Sequence, residues 1–406
     1  VIDPFIITRA IHIAATLVAG GTVAFMVLIA DVPALRRRLV VMVWIALAVA
    51  ILSGLAWLVL LASEILGAPL AEVCLHGGAW QFATGTRFGE VAGARLLLAL
   101  GLALLLPFPA AGALQLAAAA GFMALTAFTG HGGATPGIAG IVHLAADLVH
   151  IVAAGFWLGA LPAFALLLAE ARRNTALDGA VATAARRFSP LGIACVGALL
   201  LTGAINAGSL LAGPRDLVAT DYGRMLLLKV GLFLAMVAIA AVNKFHLTPQ
   251  LPAPQAMRAL RRNSWAEIGL GAGIVLVVGA LGTMEPSGHI HEHSAAVPPD
   301  AAYVHIHDVQ AMADVAITPG RAGRTGATIR LSREDGSEFP AKELTFTLEP
   351  AASGGKSVQA TATYTAGFWQ TGNIDIPIAG IWTVRIVVTP ADGASIVLDA
   401  PIVIEP

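Results

Sequence analysis

The chain has 406 residues, 57% of them hydrophobic and only 12% charged, with a formal net charge of −1 and a mean hydropathy of +0.80. Soluble globular proteins are about 25% charged, so the composition excludes an ordinary soluble globular chain and indicates a multispan membrane protein. The balanced charge gives no reason to expect a nucleic-acid partner, and two cysteines, Cys74 and Cys195, do not make a disulfide framework.

The sequence starts at Val1 rather than Met, so a segment upstream is expected. The first apolar stretch lacks a basic n-region and is long enough to span, which sets it apart from a signal peptide. Eight segments have the roughly 20 apolar residues that a bilayer-crossing helix needs, at 5–30, 40–63, 90–106, 112–129, 139–168, 188–212, 222–243 and 264–283. Loops on one side hold Arg36, Arg37, Arg38, Arg172, Arg173, Arg186, Arg187, Lys244, Arg258, Arg261 and Arg262, against Arg87 and Arg215 on the other. Basic loops stay cytoplasmic, so both termini are expected outside the cytoplasm.

After residue 284 the composition changes. Residues 286–302 read as a polar, histidine-containing linker. From 303 to 406 the sequence reads as eight short alternating strands with turn residues between them (DGSEFP, AASGGK, PADGA), which predicts an antiparallel β-sandwich. The expected fold is therefore a mainly α membrane domain, 1–285, followed by a small β-domain.

A faint internal repeat runs through the spans. TRFGEVAGAR (86–95) matches TDYGRMLLLK (220–229) as T-x-[FY]-G-x5-[RK]; HIAATLVAGG at His12 resembles HIVAAGFWLG at His150; Ser53-Gly54 echoes Thr202-Gly203. These matches set spans one to four against five to eight. Four is even, so two four-helix halves would run in the same direction, related by an axis along the membrane normal.

Ten of the eleven histidines fall on the outer side or in the outer half of the bilayer; His246 is the exception. His143, Asp147 and His150 occupy positions i, i+4 and i+7 of the fifth span, one face of a helix. Imidazole suits copper and zinc, so His12, His143 and His150, with His131 above them, are the expected metal site. Asp147 would either ligate or accept the second N–H of a ligating ring. An ionised residue at a helix centre costs roughly 2.5–3.5 kcal/mol on insertion scales, so this face must meet something polar. A lone intramembrane histidine also occurs as a plain interhelical hydrogen-bonding group. Paired imidazoles on facing helices could instead ligate haem b, which would make the chain an electron carrier or a metal reductase. Arg95 and Lys229 are expected to be structural, pairing with carboxylates such as Glu90 or Asp221 or snorkelling.

His289, His291 and His293 form a compact HIHEH tract in the linker, and His305 and His307 share one strand face. They read either as metal-collecting groups or as solvated polar positions. Towards the cytoplasm the ligand types thin out to Met26 and Met42.

The stretch DLVHIVAAGFWLGAL, with RRFSPLGIACVGALLLTG and TDYGRMLLLKVGLFLAMVAIAAVNKF, resembles the CopD copper resistance family of bacterial inner-membrane proteins over about residues 1–285. The tail is similar to YtkA-type β-sandwich domains, notably in ITPGRAGRTGATIRLS and GFWQTGNIDIPIAGIWTVRI. The resemblance implies copper import from the periplasm across the inner membrane, with a periplasmic CopC-like carrier as partner, and places the family's intramembrane histidines on His12, His131 and His150. It implies no enzymatic activity. The sequence has no ATP-binding motif, so transport would be passive or coupled to another gradient. A periplasm-facing copper chaperone that does not transport is the other expectation.

Overall fold

The computed structural model describes residues 3–66, 69–75, 77–129, 137–211, 213–284, 298, 300–307, 311–333, 337–350, 356–365, 367–390 and 395–405. The chain divides into two compact units, Val1–Ile290 and His291–Pro406.

The first unit is helical. Its elements are α1 (Pro4–Ala24), α2 (Pro33–Leu66), α3 (Leu70–Leu75), α4 (Gly78–Gly85), α5 (Arg87–Leu105), α6 (Gly112–Ala124), α7 (Gly137–Trp157), α8 (Leu161–Ala171), α9 (Asp178–Leu210), α10 (Asp216–Ala219), α11 (Asp221–Val242) and α12 (Pro254–Leu281). π-Helical turns extend α1 over Phe25–Ile29 and α11 over Asn243–Leu247. Among the described residues, eight helical segments are long and apolar enough to cross a membrane, and they fall on the eight stretches marked by hydropathy. Leu52, Leu97, Leu104 and Leu201 point outward from the unit, where a bilayer rather than water accounts for bare leucine. The fifth span is not one helix: it breaks at Leu158–Ala160. Pro162 in the first turn of α8 has no N–H to give to a continuing helix.

The repeated T-x-[FY]-G motif has a local cause. Thr86 and Thr220 are the N-caps of α5 and α11, and their hydroxyls accept from Gly89 N–H (3.2 Å) and Gly223 N–H (3.0 Å). The same hydroxyls donate back to the carbonyls of Phe82 (2.7 Å) and Asp216 (2.8 Å). A Cβ on Gly89 would strike the Ala83 carbonyl, and one on Gly223 the Asp216 carbonyl. Threonine and glycine are both required at these corners, in both halves.

Packing repeats too. α1 lies on α2 as α7 lies on α9, and α5 lies on α6 as α11 lies on α12. The halves meet where α1 crosses α7 and α12. A Cβ on Gly21 would overlap the backbone of Gly155, Gly159 and Ala160, and one on Gly159 would overlap the Leu17 carbonyl. Small residues at such crossings let membrane helices approach backbone to backbone. The Met123 thioether of α6, fully buried, fills the notch left by Gly20 and Gly155.

The second unit is antiparallel β. Its strands are β1 (Ala302–His307), β2 (Met312–Thr318), β3 (Gly323–Ser332), β4 (Ala341–Pro350), β5 (Val358–Thr365), β6 (Phe368–Thr371), β7 (Ile374–Ile376), β8 (Gly380–Pro390) and β9 (Ile396–Ile404). Hydrogen bonding runs continuously in the order β1-β2-β3-β6-β5-β4-β8-β9, with β7 on β3. The sheet curls until Glu405, just past β9, bonds the turn ahead of β3 through Glu405 N–H to Gly320 O (2.9 Å) and Ala322 N–H to Glu405 O (2.8 Å). Alternate residues point inward, and Val315, Ile329, Phe346, Trp382 and Ile386 form its core.

Candidate functional site

α7 carries His143, Asp147 and His150, and each is met by a different polar neighbour. Thr202 of α9 donates its hydroxyl proton to the Ala198 carbonyl (2.7 Å). Its oxygen, 2.9 Å from His150 Nδ1, is therefore left to accept, which assigns the proton to Nδ1 and keeps the lone pair on Nε2. A ligating histidine is oriented in this way, by a partner on its second nitrogen. One turn away, Asp147 Oδ1 accepts from Asn206 Nδ2, four residues beyond Thr202. Asp147 Oδ2 is 3.8 Å from His143 Nε2. Lys229 and Tyr222 of α11 lie within electrostatic range of Asp147.

Two polar atoms of this cluster, His143 Nδ1 and Asn206 Oδ1, are buried with no hydrogen-bond partner among the described residues. His143 is only 2% exposed. Buried polar atoms are nearly always satisfied, so these two are the open hydrogen-bonding positions of the cluster.

The first half holds the same frame with opposite chemistry. His12 Nδ1–H donates to the Ala50 carbonyl (2.9 Å), with Ser53 Oγ 3.3 Å from the same nitrogen. Ser53 stands where Thr202 stands in the second half. By the same alignment Arg9 stands for Asp147, Phe5 for His143, Trp57 for Asn206, Phe88 for Tyr222 and Arg95 for Lys229. The Arg9 guanidinium lies 4.9 Å over the Trp57 ring, which packs edge-on against Phe88 (5.1 Å) and His12 (5.7 Å). Arg9 also donates to the Gly282 carbonyl. Arg95 donates to the hydroxyls of Thr126 and Thr16 (2.8 Å for the second) and lies 4.8 Å over Phe122. Arg9 and Arg95 both act electrostatically on His12. An aromatic plug and two guanidinium groups therefore surround His12, whereas a carboxylate, an amide, a second imidazole and one ammonium, that of Lys229, accompany His150.

Among the described residues, no three His, Cys, Asp or Glu side chains are grouped to hold a metal ion. Helix geometry supplies a reason. Positions 143 and 150 share a face, yet seven residues at about 1.5 Å each separate them by roughly 10 Å along the axis. His143 with Asp147 makes one pair and His150 the next rung. His12 keeps its hydrogen-bond and ring partners within its own half. Arg95 takes hydroxyls and an aromatic ring rather than the expected carboxylate, and Asp221 pairs with Arg224 (2.5 Å).

His131 and the linker residues His289, His291 and His293 lie outside the described residues, as does the His307 side chain. In the β-unit, His305 on β1 faces Asp314 on β2 with Nδ1 2.7 Å from Oδ1, and Tyr303 donates to the same oxygen (2.5 Å). Sequence reasoning missed Asn206, whose signal is a lone amide one turn past Thr202-Gly203. It also missed that Arg9 occupies the position of Asp147, which extending the repeat three residues ahead of His12 reveals.

Residues 182–281 match the family described as Copper resistance protein D, and residues 2–141 match the Copper resistance protein D-like N-terminal domain. The chain is 31% identical to Copper resistance protein D of Pseudomonas syringae pv. tomato, over 55% of this chain and 75% of that one. It is 28% identical to Copper transport protein CutJ of Bacillus subtilis (strain 168), over 66% of this chain and 47% of CutJ, so it spans about half the length of that relative. It is 29% identical to Inner membrane protein YebZ of Escherichia coli (strain K12), over 51% of this chain and 72% of YebZ. No solved structure gives a significant match. With eight membrane-crossing helices and these matches, the chain belongs to the copper resistance protein D family of multi-pass membrane proteins.

Proposed function

We propose that this protein takes copper from the periplasm and carries it across the bacterial inner membrane, using the second-half face of α7. The copper assignment comes from the family and from the names of its relatives. The observation that carries the site is the divergence of the two halves. At matching positions of a duplicated frame, the first half has Arg9, Phe5 and Trp57, and the second has Asp147, His143 and Asn206. A cation is repelled by the first set and held by the second.

Copper would enter between His143 and Asp147 and step to Nε2 of His150. The excess of basic residues in the loops at the far ends of these helices orients that entry towards the periplasm. A periplasmic CopC-like carrier would be the partner that supplies the ion. The family and the names of its relatives favour copper over haem b as what these imidazoles would hold.

Equilibrium copper binding to the purified protein tests the site. His150→Ala and His143→Ala are each expected to weaken binding by at least about tenfold, on the order of 1.4 kcal/mol, with His12→Ala close to wild type. Unchanged affinity in both α7 variants would reject the assignment. Liposomes loaded with a copper-sensitive dye separate a transporter, which fills them, from a chaperone, which binds copper without filling them.

A further inference from the structure

Below the α7 face, towards the arginine-rich ends of the helices, lies a cavity of about 230 Å³ between α8, α9, α11 and α12. Most of its wall is apolar and aromatic, from Trp157, Phe164, Phe188 and Val237 among others. One carboxylate, Glu267 of α12, also faces it. Glu267 is 3% exposed and sits inside a membrane-crossing helix. An ionisable side chain at that depth is costly and is a functional candidate by default.

Its surroundings are built. Asn243 Nδ2 donates to Glu267 Oε2 (3.0 Å), and Asn263 Nδ2 donates to Asn243 Oδ1 (2.8 Å). Asn243 opens the π-helical turn at the end of α11, a distortion that recurs at functional sites. No basic group forms an ion pair with Glu267 among the described residues. Lys244, which shares the cavity, stands 5.3 Å over the Phe245 ring. Arg258, Arg261 and Arg262 belong to the first turns of α12, and His246 to the π-helical turn. On α8, Glu170 is engaged by Arg38. A carboxyl held by an amide and lacking a counter-ion can exchange its charge by gaining or losing a proton, and the cavity gives the proton room to arrive.

Trp157 connects this place to the metal face. It lies two turns beyond His150 on the same side of α7 and forms part of the cavity wall. His143, Asp147, His150 and Trp157 thus follow one another down α7, and the cavity with Glu267 begins where they end.

We propose that Glu267 is a proton-exchange site, open through this cavity to the arginine-rich side, that couples proton movement to the passage of a cation along α7. The coupling rests on the transport reading above; the proton site does not.

Infrared pH-difference spectroscopy of the reconstituted full chain, without copper, tests the site itself. The expected result is a carboxylic acid band that is lost in Glu267→Gln and shifted in Asn243→Ala, which keeps the carboxyl but removes its donor. A Glu267→Gln spectrum identical to wild type, or no shift in Asn243→Ala, would overturn the proposal. In liposomes carrying copper and pH reporters, the expected result is that wild type acidifies or alkalinises the lumen as copper moves, and that Glu267→Gln binds copper but loses this pH change. Copper flux with an unaltered pH change in Glu267→Gln would overturn the coupling. A lost infrared band together with no copper flux in wild type would leave the proton site standing and reject the transport reading.

Discussion

Replacing Gly159 by leucine is expected to abolish the folded membrane unit, seen as loss of the monodisperse peak in detergent and of copper binding together. At this crossing the obstacle is backbone. A Cβ at 159 meets the Leu17 carbonyl, and one at Gly21 meets the chain at Gly155 to Ala160. No rotamer change relieves such a contact, so α1 and α7 must move apart and carry their halves with them. Even Gly159→Ala falls at the upper end of the roughly 1–3 kcal/mol typical of overpacking, and leucine adds bulk with nowhere to go. Gly101→Ala is the control: a Cβ there meets nothing within 4 Å, and alanine is the better helix former. A stable, monodisperse Gly159→Leu protein would show that the halves are not joined at this point.

The second large effect is electrostatic. Asp147→Arg gives the second half the charge that Arg9 gives the first, and copper binding on α7 is expected to disappear. One unit charge at about 4 Å is worth about 4 kcal/mol at an effective dielectric near 20, which is about a thousandfold in affinity; reversing the sign changes the interaction by twice that. The reciprocal change, Arg9→Asp, is expected to add no second copper, because Phe5, Trp57 and Phe88 still fill the first-half position with rings. Isothermal titration with copper reads both variants. A stoichiometry of wild-type value in Asp147→Arg, or an extra site in Arg9→Asp, would contradict the charge argument.

Much of the fold was legible in the sequence because membrane-crossing helices declare themselves by length and hydropathy. Eight were expected and eight are long and apolar enough. The break at Leu158–Ala160 was not foreseen, since a glycine and a proline within an apolar run leave the hydropathy unchanged. β6, Phe368–Thr371, was not among the eight expected strands. The repeat was visible as letters, but its cause, a capping threonine and a glycine pressed against a carbonyl, needed coordinates.

The candidate site was legible in part. The alignment of His143, Asp147 and His150 follows from helical period alone. Their division into a His143–Asp147 pair and a separate His150 follows from rise per residue, which a one-face argument neglects. Glu267 did not stand out in the sequence because a carboxylate is neither the histidine nor the cysteine typical of a copper ligand. An acid four residues inside an expected span was a signal already present in RRNSWAEIGL.

The central claim is that copper is held by imidazoles of the second half. X-ray absorption at the copper edge addresses it directly, on copper-loaded protein in which His289, His291, His293, His305 and His307 are all replaced by alanine. Imidazole scattering is predicted to fall in His143→Ala and in His150→Ala and to persist unchanged in His12→Ala. Scattering that vanishes with His12→Ala and survives both α7 substitutions would contradict the account.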